Sequence, residues 1–166
     1  AGGIKPDIEV AIEKDNDLIK ALEDENMIFN FSVDYVYEHK DLKTENINID
    51  NDVFANFRRF VDENNFKFES KTDIKLHELE DIADEEEYSQ TIQPMLDEIR
   101  AELEKETNEQ FVQQKETIKK RITEHILRQV GYDEAVYTYY TERGEVIKEA
   151  VSILENKDDY KSILGY

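Results

Sequence analysis

Apolar residues recur at helical spacing along most of this chain. The longest run lies between Thr91 and Val130: Ile92, Met95 and Leu96, Ile99, Leu103, then Phe111, Ile118, Ile122, Ile126 and Val130. That i, i+3/i+4, i+7 pattern predicts an amphipathic helix long enough to act as a spine for shorter segments. The spine starts near Ser89, which puts Pro94 close to the first turn, where N–H groups have no intrahelical partner. Residues 104–110 hold no apolar side chain but also no glycine or proline. The spacing therefore favours one long helix that bends or projects over a helical hairpin.

Before the spine, residues 15–42 read as helix capped by Asp15 or Asn16, with Leu18, Ile19 and Leu22 as one stripe. Met27–Tyr37 is apolar on nearly every side, which implies burial between neighbours. After a polar linker at 43–48, Asp50 caps a helix whose stripe is Val53, Phe54, Phe57, Phe60 and Val61. Asn64 and Asn65 end it. Phe66-Lys67-Phe68 alternates and reads as a short strand or extended tie. Ser70 and Asp73 have the spacing of a capping box, followed by Ile74, Leu76, Leu79, Ile82 and Ala83 and then the acidic run 84–87, where a helix is expected to fray or stop.

After the spine, Gly131 ends the helix and Asp133 caps the next. Val136, Tyr140, Arg143, Ile147, Ala150, Val151 and Leu154 keep helical spacing straight through Gly144. A glycine inside a helix costs about 1 kcal/mol relative to alanine, so Gly144 marks a close approach or a break. The fold class is all-α, a helical bundle built on a long helix, with at most an extended segment near 66–68 and a strand end near 7–10. Residues 15–166 read as one acidic helical domain and 1–14 as a tail and linker.

Charge narrows the partners. The 166 residues carry a net charge of −20, which argues against nucleic acid and anionic membranes. No apolar run approaches the length of a membrane span. The second half of the spine holds Lys115, Lys119, Lys120, Arg121 and Arg128, expected to face the acidic helix 78–87. There is no cysteine, hence no disulfide, thiolate ligand or cysteine nucleophile. Asn48, Asp50 and Asp52 have the spacing of a calcium loop, but Val53 stands where the loop needs glycine and Arg59 where it needs glutamate. No serine sits in a glycine-flanked elbow. His39, His77 and His125 lie on separate segments without zinc-ligand spacing. No catalytic, cofactor or metal site is expected. The one candidate interaction surface is Tyr137, Tyr139, Tyr140 and Arg143, for which core packing against the spine is the plainer reading.

Both ends of the chain carry a resemblance. Gly2-Gly3-Ile4-Lys5-Pro6-Asp7 resembles the Gly-Gly-Ile-x-Pro-Asp stretch that closes the protease core of the carboxyl-terminal processing peptidases, also called tail-specific proteases. Met27-Ile28-Phe29-Asn30-Phe31, with Tyr35, Tyr37 and His39, is similar to an apolar block in the family's longer bacterial members. Tyr139-Tyr140-Thr141-Glu142-Arg143-Gly144 and Tyr160-Lys161-Ser162-Ile163-Leu164 resemble the paired aromatics before Arg-Gly and the closing block of the same branch. Thr141 departs from a usual third aromatic, and 131–135 reads as an extra segment. The resemblance implies a non-catalytic C-terminal region of a serine peptidase whose serine–lysine dyad lies upstream. It also implies a bacterial periplasm or cell envelope, and as partners the parent's core and peptide-binding module. The apolar faces add a homodimer as an expectation. The alternative is a stand-alone acidic helical adaptor that uses the tyrosine region as its contact surface.

Overall fold

A computed structural model describes residues 8–10 and 15–165. Their order is α1 (Asp17–Asp24), α2 (Met27–Glu38), a 3-10 turn (Thr44–Asn46), α3 (Asn51–Glu63), α4 (Lys71–Glu85), α5 (Ser89–Gln113), α6 (Lys115–Arg143), α7 (Glu145–Glu155) and α8 (Lys157–Leu164). The fold is helical, as the spacing predicts. The described residues contain no strand: 66–70 is an extended tie that packs Phe66 and Phe68 onto the core, and 8–10 is irregular. Residue 7 lies outside the described residues.

The helix starts follow from their caps. Asn16 Oδ1 accepts the Ile19 N–H at 2.9 Å, and Asp50 Oδ1 accepts those of Asp52 and Val53, each at 2.9 Å. Ser70 Oγ accepts the Asp73 N–H while the Ser70 N–H donates to Asp73 Oδ2, a reciprocal capping box. Asn65, at φ 55°, turns the chain out of α3.

The expected helix over 15–42 is two helices. Asn26 adopts a left-handed conformation, φ 58° and ψ 24°, and separates α1 from α2; asparagine tolerates this region better than most residues. The redirection lets both apolar faces meet one core. The spine is likewise two helices, and they do not fold back on each other. Gln114, at φ −88° and ψ 8°, bends the chain, while N–H to C=O bonds four residues apart continue on both sides of it. Pro94 sits in the second turn of α5, because that helix already begins at Ser89. The carbonyl its missing N–H would have met belongs to Gln90, which is exposed at the helix start and open to water.

A true hairpin closes further on. Gly131 (φ −133°) and Tyr132 (φ 57°, ψ −166°) leave helical geometry inside α6. The segment 133–143 returns along 115–130, so that the Tyr140 hydroxyl reaches Glu124. Gly131 ends the spine as its sequence position implies, because a Cβ there would stand 2.6 Å from Thr44 Cγ2 and 2.6 Å from Ala135 Cβ. Asp133 does not cap the return segment; its carboxylate accepts from Arg128 Nε at 3.0 Å. At Gly144 the chain breaks, one of the two readings that a glycine inside the helical run allows. Gly144 is extended, at φ −66° and ψ 129°, and divides α6 from α7.

The main core lies where α1, α2 and α3 meet α6 and the end of α5. Leu18, Ile19, Leu22, Ile28, Phe57, Ile118, Ile122 and Ile126 are fully buried there. Phe31 packs edge-on to Phe57 and Phe60 at centroid distances of 5.3 and 5.6 Å. The Arg58 guanidinium lies 3.7 Å from the centre of the Phe111 ring, and burial lowers its pKa. Apart from this core, α4 and α5 pair as an antiparallel arm. Arg100 of α5 bridges to Glu80 of α4, and Ser89 donates to Asp84 beside the connecting turn.

Candidate functional site

The tyrosine region lies on the returning segment of α6, and the hairpin decides what each ring meets. Tyr137 faces solvent and is 72% exposed. Tyr139 and Tyr140 are half-buried and pack edge to face, 5.6 Å between centroids. The Arg143 guanidinium lies 5.0 Å from the Tyr139 ring centre and Lys120 Nζ lies 5.2 Å from that of Tyr140. These are cation–π distances. Tyr139, Tyr140 and Arg143 are thus grouped, and Tyr137 points away from them.

Behind these rings is a network centred on Glu124. Its carboxylate accepts from the Tyr140 hydroxyl at 2.9 Å, from Arg121 at 3.3 Å and from Arg128 at 3.3 Å. Arg121 also donates to Asp15 at 2.7 Å, across a sequence separation of 106 residues. Burial, and then the hydrogen bond to Glu124, push the Tyr140 pKa up to about 12. Partial burial lowers the Arg121 pKa and the bond to Asp15 raises it, with a net rise. A phenol held protonated and guanidiniums held charged make a structural clasp. None of them is poised to exchange a proton near neutral pH.

The basic residues of the spine do not face the acidic helix 78–87. Lys119 bonds Asn51 and Glu116, Arg128 bonds Glu124 and Asp133, and Lys115 lies over the Phe54 ring. The reason is geometric: 78–87 lies in the arm, whereas these residues line the core side of α6 and meet α1, α3 and the returning segment. Along that segment a polar groove of about 830 Å³ runs between α6 and the 44–49 loop, lined among others by Thr44, Ile47, Lys119, Lys120, Thr138 and Tyr139. Both charge signs line it, and its lysines are already engaged by the partners above.

Among the described residues the side chains that carry hydrolytic chemistry elsewhere do not converge. Ser32 is fully buried and donates to the Ile28 carbonyl at 2.7 Å. Ser70 is the α4 cap, and Ser152 is exposed on α7. His39 stacks on Tyr35, His125 Nε2 lies 2.9 Å from Glu23 Oε2, and His77 is exposed on α4. Among the described residues no group of three or more histidine or carboxylate side chains could hold a metal ion, and no helix is long and apolar enough to cross a membrane.

Sequence reasoning missed the Glu124 clasp and the Asp15–Arg121 bond. Arg121, Glu124 and Arg128 do carry a signal, since they stand at i, i+3 and i+7 on one helix face. Tyr140 and Asp15 join them only through the hairpin and the chain entry.

The described residues form a helical domain with an internal clasp at Glu124. The chain belongs to the family of C-terminal helical domains of probable PDZ-proteases, whose model matches residues 18–154. It is therefore a piece of a larger protease's architecture. No curated protein and no solved structure matches it.

Proposed function

We propose that residues 15–166 brace a carboxyl-terminal processing serine peptidase, holding its core and peptide-binding module in fixed relation. On this reading residues 1–14 are the tail of the protease core and a linker, the serine–lysine dyad lies upstream, and the parent works in the periplasm or cell envelope of a bacterium. The observation that carries the reading is the bond between Asp15 and Arg121. It fixes the residue at which the chain enters the domain to the first third of α6, at 2.7 Å. An entry point clasped to the spine transmits force and orientation; a loose tether would not.

The test compares the full-length parent with a parent ending after Val10. Truncation is expected to lower the melting temperature of the core and slow cleavage of a folded protein substrate, while a short peptide with a free C-terminus is still cleaved. An unchanged melting temperature and rate would overturn the bracing role. Peptide cleavage by residues 1–166 alone, copurifying with them, would overturn the non-catalytic assignment. The adaptor reading draws on one observation, the exposure of Tyr137. It predicts partner capture without the protease core, lost in Tyr137→Ala.

A further inference from the structure

The arm formed by α4 and α5 has two unlike faces. Leu76, Ala83 and Leu96 are buried and mark the line along which the helices meet. At about 100° per residue, Leu79 and Ile82 stand about 60° and 120° to one side of that line on α4. On α5, Ile99 and Met95 stand about 60° and 100° from it in the same rotational sense. Because the helices are antiparallel, equal senses bring both pairs onto one face. Leu79, Ile82, Met95 and Ile99 are all exposed, at 45%, 50%, 64% and 44%. The opposite face presents Asp73, His77, Asp84, Gln93, Asp97 and Glu104 instead. Among the described residues the side-chain bonds of 75–105 stay within the arm.

We propose that this face docks a basic amphipathic helix of a partner protein, lying in the groove between α4 and α5 and completing a three-helix layer. Two parallel ridges of apolar side chains at i, i+3 and i+4 spacing are what an amphipathic helix recognises in such a groove. Charge selects the occupant. Residues 71–113 hold fourteen acidic and four basic side chains, half of the chain's net charge of −20. By the same helical geometry Glu78, Glu86, Glu98 and Glu102 rim the apolar four. Two lysines stand on that side: Lys75 is engaged by Glu78 at 2.6 Å, and Lys71, at the start of α4, lies 3.8 Å from Asp17 of α1. A second copy would bring an equally acidic rim, and an anionic lipid surface would be repelled too. A helix with lysine or arginine flanking its apolar ridge matches both features. This docking goes beyond the bracing role and does not depend on the parent's chemistry.

The experiment titrates the full chain with a labelled synthetic helix of three heptads, leucine at a and d and lysine at e and g, followed by anisotropy. The probe with glutamate at e and g is the counterpart. The lysine probe is expected to bind, more weakly as salt rises, and the glutamate probe to remain free. The double variant Met95→Ser/Ile99→Ser alters exposed positions only, and retained circular dichroism reports its fold. It is expected to lose about tenfold or more in affinity, while Tyr137→Ser binds as the unmodified chain does. Unchanged affinity in the double variant would overturn the proposal in favour of diffuse charge attraction. Equal binding of both probes would overturn it as well, as would a dimer in light scattering that the double variant dissociates.

Discussion

The core and the arm are both built from helices and come to opposite ends. In the core, α2 is met by α1, α3 and α6, so Ile28 is fully buried and Phe31 is 7% exposed, but the burial expected on nearly every side does not occur, because Phe29, Val33 and Tyr37 face outward and stay exposed. In the arm, α4 and α5 each have one substantial neighbour, and only Leu76, Ala83 and Leu96 are buried over most of their length. Burial is therefore set by the number of partners a helix has, more than by how amphipathic it is. The consequence is energetic. The core should open only with the whole domain, whereas the arm, poor in buried apolar contacts, should open locally.

The largest test of that contrast is Phe57→Ala, which empties a fully buried site between Phe31 and its neighbours. A loss of about 3–5 kcal/mol in global stability by denaturant titration is expected. Leu96→Ala removes the best-buried leucine of the arm and should cost about 2 kcal/mol or slightly more. That loss should appear as faster hydrogen exchange confined to 71–107; if core amides quicken equally, core and arm are one cooperative unit. The two caps make a finer pair. Asp50→Ala and Ser70→Ala each remove a hydrogen-bonded cap worth about 1 kcal/mol. The first should lower the global transition and the second only the protection of α4.

The smallest effect concerns Glu124. Because the Tyr140 pKa is raised to about 12 in the fold, the protonated phenol is the favoured form. Its contribution to stability is complete below the ordinary tyrosine value of about 10. The contribution is lost as pH rises through about 12. Glu124→Gln should move that pKa down toward the ordinary value, with burial alone still raising it. Tyrosinate absorbance across an alkaline titration reads this directly. A pKa unmoved by the substitution would mean that the carboxylate contributes nothing.

Much of the fold was legible because local rules carried it. Asp50 and Ser70 announce their helices by capping chemistry that needs no distant residue. The stripe from Val53 to Val61 fixes the buried face of α3 by spacing alone. The errors fall where one residue's conformation overrides a continuous pattern. Asn26 interrupts a run whose periodicity carries on past it, since periodicity reports which face is apolar and not whether the axis continues. The fate of the spine's basic residues was illegible for a related reason. Net charge suggests an acidic helix as their partner, but a pairing needs proximity, and proximity depends on which way the arm points.

Of the candidate surface, the sequence marked the aromatic cluster without dividing it. Tyr137, Tyr139 and Tyr140 are near neighbours in the chain. Only the return of α6 at Gly131 and Tyr132 presses two of the rings onto Glu124, Lys120 and Arg143 and leaves the third in water. By itself the sequence determined the helical class, the caps at Asp50 and Ser70, the apolar stripes and the acidic charge of the arm, because these depend on interactions within a few residues. The tertiary structure alone decided which stripes find a partner, because covering an apolar face requires segments distant in the chain to meet. Here α1, α2, α3 and α6 meet, and one face of the arm is left uncovered.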